Sequence, residues 1–122
     1  MSDAEVLQDR DVLLVEDETL VSFVLEDMLM EFGARAVWHA ANVEAALTLL
    51  KTQRPAVAVL DLNLGDKNAY PVAERLAQDG IPFVFVSGYG RDGLEPQWAS
   101  RPVLQKPVSL TTLAKALAGC LV

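Results

Sequence analysis

Acidic, hydroxyl and ammonium side chains stand at the ends of several apolar runs in this sequence. In chain order these are Glu16 and Asp17, then Asp61, then Ser87, and finally Lys106. Carboxylates held close together repel and raise one another's pKa, which a divalent cation relieves. Oxygen ligands without His or Cys favour a hard ion, Mg²⁺ before Ca²⁺. A metal, an ammonium and a hydroxyl around one carboxylate would stabilise a tetrahedral dianion there, as in an aspartyl phosphate.

The run before Asp61 is continuously apolar from Ala56 to Leu60. Such a run is typical of a strand covered on both faces. An acid directly after it would emerge at the edge where open α/β sheets bind ligands. Asp61 taken alone could equally begin a turn, where Asp is frequent. The matched residues after the other runs favour the site.

The elements that must position these residues alternate along the chain. Strands are predicted at 11–15, 34–38, 56–61, 82–87 and 103–106, with helices at about 19–32, 43–50, 71–79 and 110–121. A fourth crossover, 88–101, contains three glycines and Pro96, so any helix there is expected to be short and weak. Five strand–helix repeats predict a doubly wound α/β fold with a five-stranded parallel sheet. Parallel strands end at one edge, so the site residues should meet there.

The first predicted helix carries apolar residues at helical spacing, which predicts the face that it turns to the core. These residues are Leu20, Phe23, Val24, Met28 and Leu29. His39 has no metal-ligand set near it in the sequence and is expected at the surface. Trp98 is expected to serve in packing.

Length, charge and composition limit the possible functions. The 122 residues predict one domain, 1–122, with a core from about 11 to 121. The net charge of −7 argues against nucleic-acid binding and suits a cation or a basic protein surface. The acidic N-terminus lacks signal-peptide features and no apolar run approaches the roughly 20 residues of a membrane span. A cytoplasmic protein without membrane contact is expected.

Glu16-Asp17, Asp61, Ser87 and Lys106-Pro107, each after a predicted strand, resemble the receiver domain of two-component response regulators. The resemblance covers roughly residues 11–121, and its specificity lies in the residues' order at successive strand ends. It implies the flavodoxin-like strand order 2-1-3-4-5.

The resemblance implies that Asp61 accepts phosphate from a histidine kinase or a histidine phosphotransfer protein. Mg²⁺ would be bound by the side chains of Asp17 and Asp61, by the backbone carbonyl of Asn63, and through water by Glu16. The chain would then signal through an unidentified downstream protein, or act as a phosphate relay or sink. It would catalyse at most its own phosphorylation and dephosphorylation.

The resemblance also assigns residues around the phosphoryl group. Ser87 would bond a phosphoryl oxygen and shift toward it, Lys106 would pair with the phosphate, and the bond to Pro107 would be cis. Receivers usually carry Tyr or Phe three residues before the lysine, but here that residue is Val103. The sequence 85–90 resembles a subgroup of mostly stand-alone receivers without that aromatic residue. There Tyr89 would shield the phosphate or move with Ser87, or else it is a surface turn residue.

Two alternatives remain open. A pseudo-receiver would bind a partner without phosphorylation, and Val103 is compatible with that role. An α/β enzyme would need a cofactor site or a general acid. Gly88 to Gly93 match a dinucleotide-binding fingerprint, but Pro96 and the lack of any acid after Glu95 argue against it. Hydrolases with an aspartyl nucleophile use a second acid to protonate the leaving group, and Asn63 stands at that position here. This argues against a phosphatase.

Overall fold

The central feature of the computed structural model, which describes residues 5–121, is a five-stranded parallel sheet. Its strands are β1 (Asp11–Val15), β2 (Ala36–Ala40), β3 (Val57–Asp61), β6 (Phe83–Ser87) and β7 (Val103–Gln105). They lie in the order β2-β1-β3-β6-β7, and every neighbouring pair is parallel. Counting only these five strands, the predicted order 2-1-3-4-5 is confirmed. Two short strands, β4 (Asn63–Leu64) and β5 (Lys67–Asn68), form an antiparallel hairpin after β3.

Four α-helices lie among the described residues. They are α1 (Thr19–Glu31), α2 (Val43–Thr52), α3 (Tyr70–Gln78) and α4 (Leu110–Cys120). The side chain of Asn42 accepts a hydrogen bond from the Ala45 N–H and begins α2. Ser109 begins α4 in the same way through the Thr112 N–H. No helix in the described range is long and apolar enough to cross a membrane.

The core lies on both faces of the sheet, because side chains alternate along each strand. Leu13, Ala58 and Phe85 belong to the cluster that includes residues of α2 and α3. Leu14 and Val59 belong to the other cluster, with residues of α1 and α4. This two-sided burial explains why β1, β3 and β6 are buried at every position.

The predicted core face of α1 is wrong for three of its five residues, whereas Leu29 is buried and Met28 packs against the core as expected. Leu20, Phe23 and Val24 are exposed, whereas Leu25 and Leu29 are buried. Apolar residues surround most of this helix, so their spacing fits more than one face. Packing against the sheet selects the face centred on Leu25 and Leu29.

Two further predictions need correction. The second strand spans Ala36–Ala40 and not 34–38. The fourth crossover, 88–101, contains only a 3₁₀ helix at Pro96–Trp98, so the chain does not form five full strand–helix repeats. Its glycines and Pro96 weaken an α-helix, as the sequence indicated.

An aromatic contact fixes this helix-poor segment to α3. The Tyr70 hydroxyl donates to the Gly93 carbonyl at 3.3 Å and accepts from the Glu95 N–H at 3.0 Å. The Tyr70 ring stacks on Trp98 with ring centroids 6.2 Å apart, and it meets Phe85 edge-on. Trp98 is buried, as its expected packing role requires.

We expect Tyr70→Phe to loosen segment 88–101 while keeping its aromatic packing. The variant loses two hydrogen bonds, which should lower the free energy of unfolding by about 1 kcal/mol. Amide hydrogen exchange at Glu95 should become faster. Tyr89→Phe is the matched control because Tyr89 is exposed. Equal exchange rates at Glu95 in both variants would contradict the anchoring role.

Candidate functional site

The predicted site residues converge at the carboxyl edge of the sheet. Asp61 and Ser87 are the last residues of β3 and β6, and Glu16 and Lys106 follow β1 and β7 directly. Asp61 lies opposite Val86, so Ser87 is one position further along the adjacent strand. The Lys106 N–H donates to the Ser87 carbonyl at 2.9 Å. Strand register therefore brings residues distant in the sequence to one edge.

The Lys106 ammonium links two buried carboxylates. Its Nζ lies 3.0 Å from Asp61 Oδ2 and 3.0 Å from Glu16 Oε1. Asp61 is 4% exposed and Glu16 is fully buried. Glu18 Oε1 lies 3.8 Å from the same ammonium. Sequence reasoning missed Glu18, although its place directly after Asp17 was the available signal.

Burial and neighbouring charge change the pKa values of these groups. Burial, and after it a hydrogen bond with Asp61, raises the pKa of Glu16 to about 7. Burial lowers the pKa of Lys106, but its hydrogen bonds with Asp61 and Glu16 outweigh that effect, so the pKa is raised. The lysine therefore stays charged, and its single positive charge does not balance the two carboxylates of Asp61 and Glu16.

The acidic residues fit a hard divalent cation. Carboxylate oxygens of Glu16, Asp17 and Glu18 lie within 4.8 Å of one another. Glu16 Oε1 is buried, and the Lys106 ammonium that it contacts at 3.0 Å also contacts Asp61. The Asn63 N–H donates to Asp61 Oδ1 at 3.2 Å, which places the Asn63 backbone beside that carboxylate. Carboxylate oxygens whose negative charge a single ammonium offsets only in part match the ligand preference of Mg²⁺.

Ser87 presents a hydroxyl group at the same edge. Its side chain is fully buried, and its Oγ accepts a hydrogen bond from the Tyr89 N–H at 3.0 Å. The hydroxyl proton therefore remains available for donation. The Tyr89 side chain is 70% exposed. Val103, on the neighbouring strand, lies opposite Phe85 and packs against the core. The peptide bond between Lys106 and Pro107 is cis, as the resemblance implied.

His39 has a contact that its sequence context did not reveal. It lies on the exposed surface, as expected, but its Nε2 is 2.8 Å from the backbone carbonyl oxygen of Glu16. A carbonyl can only accept, so Nε2–H donates. The pairing of β2 with β1 produces this contact, and no local sequence motif predicts it.

The comparisons with known proteins agree with this geometry. The response regulator receiver domain model matches residues 12–118. The transcriptional regulatory protein PdtaR of Mycobacterium tuberculosis is 27% identical over 120 residues, or 95% of this chain. The chain spans 58% of the length of PdtaR.

Similar solved structures cover the whole fold. The solution structure of SdrG from Sphingomonas melonis Fr1 has a TM-score of 0.83 and 41% identity, covering 100% of both chains. The BeF₃-activated conformation of SdrG, from Pseudomonas melonis Fr1, has a TM-score of 0.79 and 39% identity, covering 99% of this chain and 100% of that one.

The raised pKa of Glu16 predicts a pH dependence of stability without metal. The folded state holds this proton more tightly than the unfolded state, so the stabilisation is complete below pH 4.5 and is lost as pH rises through about 7. We expect a loss of about 3 kcal/mol across that window in chelator-treated protein. Denaturant unfolding at a series of pH values measures it.

Glu16→Gln should remove this part of the pH dependence, because the amide does not titrate. Glu31→Gln makes the same chemical change at an exposed end of α1 and should leave the profile unchanged. A profile that Glu16→Gln leaves intact would show that another group titrates in this window.

Proposed function

The chain belongs to the response regulator receiver domain family, and we propose that it is a phosphorylation switch with Asp61 as the phosphate acceptor. Receiver domains interact with histidine kinases or phosphotransfer proteins and generally bind Mg²⁺ at an acidic cluster. The main support is the ammonium of Lys106, 3.0 Å from the carboxylates of both Asp61 and Glu16. A cation in contact with the acceptor carboxylate is placed to neutralise charge that phosphorylation adds.

In the proposed reaction, a carboxylate oxygen of Asp61 attacks the phosphorus of a phosphohistidine. The new P–O bond forms as the P–N bond breaks, and the imidazole leaves with the electron pair and is neutralised by a proton. Lys106 then pairs with one phosphoryl oxygen, and the Ser87 hydroxyl donates to another. Both groups are already at the sheet edge, so little reorganisation is required.

We assign metal binding to the acidic side of the site. The side chains of Asp17 and Asp61 and the backbone carbonyl of Asn63 would hold Mg²⁺ directly, with Glu16 acting through water. Bound Mg²⁺ would offset the negative charge of the carboxylates and of the incoming phosphoryl group. A carboxylate oxygen of Glu18 lies within 4.8 Å of those of Glu16 and Asp17, so Glu18 adds a negative charge that would attract the cation.

The response to phosphorylation would pass from Ser87 into segment 88–101. The Tyr89 N–H is bonded to Ser87 Oγ, so a shift of Ser87 toward the phosphate either carries Tyr89 with it or breaks this bond. Val103 offers no aromatic rotamer to report the change. The backbone contact with Tyr89 therefore transmits the shift, and the populations of segment 88–101 change.

An apolar groove beside the site supports a protein phosphodonor as partner. This groove has a volume of about 400 Å³, and Leu20, Val24, Lys106 and Pro107 contribute to its lining. Leu20 is 79% exposed. Lys106 belongs both to the groove and to the site, so a donor that brings phosphohistidine to Asp61 must cover this rim. An apolar helix of a histidine kinase or phosphotransfer protein fits such a surface.

Asp61→Asn should abolish phosphate incorporation from acetyl phosphate in the presence of Mg²⁺, because the amide is a poor nucleophile. Asp66→Asn, in the exposed turn of the β4–β5 hairpin, is the matched control and should incorporate phosphate like the parent. Phosphate-binding gel electrophoresis or intact mass measures the product. Incorporation into the Asp61 variant would overturn the assignment. A parent protein that takes up none would favour the pseudo-receiver, a binding module acting without phosphorylation.

The double variant Leu20→Gln/Val24→Gln should slow phosphotransfer from a phosphorylated histidine phosphotransfer protein about tenfold, through lost apolar contact. Its reaction with acetyl phosphate should not change, since that donor needs no groove. Met30→Gln alters an exposed apolar residue of the same helix outside the groove and serves as control. Equal slowing with both donors would place the defect in the site and not in docking.

A further inference from the structure

A second concave surface, which shares no lining residue with the acidic site, carries cationic side chains. It has a volume of about 510 Å³ and lies between residues 99–102 and the C-terminal half of α4. Arg91, Arg101 and Lys115 contribute the charge, and we call this surface the cationic pocket. None of its lining residues belongs to the acidic site or to the apolar groove.

The charge of the cationic pocket is unbalanced within the described chain. The protein carries a net charge of −7, yet no acid follows Glu95 in the sequence. Arg91, Arg101 and Lys115 form no ion pair with any carboxylate in residues 5–121. By contrast, cations elsewhere do pair, as in Arg54 with Asp79. Concentrated positive charge on an acidic protein is a feature that a negatively charged partner can recognise.

Both arginines are held in place by groups other than carboxylates. The guanidinium of Arg91 donates to the carbonyl of Ala99 and, at 3.3 Å, to that of Arg101. The guanidinium carbon of Arg101 lies 4.3 Å from the centroid of the buried Phe83 ring. A guanidinium has five N–H donors, so each arginine retains donors for a ligand. Because their positions are already fixed, less conformational entropy is lost on binding.

We propose that the cationic pocket binds an acidic segment of a partner protein. Guanidinium groups bind carboxylates in a bidentate fashion, and three cations from separate parts of the chain suit several carboxylates spaced along a peptide. Gly119 and Ala116 in the lining allow a peptide backbone to approach closely. A long polyanion such as nucleic acid would extend onto the acidic remainder of the surface and be repelled there. This binding does not depend on phosphorylation of Asp61.

Fluorescence anisotropy with the full chain tests the proposal. The probe is a labelled peptide of glutamate and alanine, about ten residues long, and its neutral control has glutamine in place of glutamate. The acidic peptide should bind and the neutral one should not. Arg91→Gln/Lys115→Gln should weaken binding about tenfold. Lys51→Gln/Arg54→Gln removes the same charge from exposed positions at the end of α2 and should leave binding unchanged.

Other outcomes would overturn the proposal. Absence of peptide binding would refute the proposal. Equal weakening in both double variants would show that the peptide is held only by non-specific charge attraction. Tighter binding of tripolyphosphate or of a DNA oligonucleotide at the same residues would identify a different ligand class. Sedimentation that shows self-association lost in Arg91→Gln/Lys115→Gln would make a second copy the occupant. Arg101 is left unchanged because it packs on Phe83, and circular dichroism verifies folding of each variant.

Discussion

The interaction on which the site depends is the contact of one ammonium with two buried carboxylates. A parallel sheet delivers the ends of its strands to one edge, and here two of those ends carry acids with little or no exposure. Lys106, from a third strand end, is the cation that makes this burial tolerable. The compensation is incomplete, as the raised pKa of Glu16 shows. The same unrelieved negative charge is what a divalent cation, proposed above to be Mg²⁺, would offset.

The helix-poor segment 88–101 helps to supply the aromatic packing that strand β7 lacks at Val103. Tyr70 and Trp98 pack around Phe85, the strand neighbour of Val103. Aromatic packing is thus supplied by α3 and by the segment itself, and strand β7 contributes none. The segment begins directly after Ser87, and Tyr70 holds its later part against α3 through Gly93, Glu95 and Trp98.

Three surfaces of different chemistry surround this scaffold. The acidic edge suits a cation, the groove beside α1 suits an apolar partner, and the cationic pocket suits an acidic one. Lys106 joins the first two surfaces. Arg91 connects the third surface to the segment that follows Ser87. The exposed apolar residues of α1, such as Leu20, line the groove that we propose as the docking surface of a protein phosphodonor.

The sequence by itself determined the parallel arrangement of the strands, the site residues at their ends and the bounds of four of the five strands to within one residue, but it placed the second strand two residues too early. Local physics suffices for these features, because continuous apolar runs require two-sided burial and capping residues such as Asn42 start helices. Only tertiary structure decided which face of α1 is buried and that His39 bonds the Glu16 backbone. These contacts depend on strand register and on the packing of α1 against the sheet. Such relations join residues without any local signal in the chain, so no spacing rule encodes them.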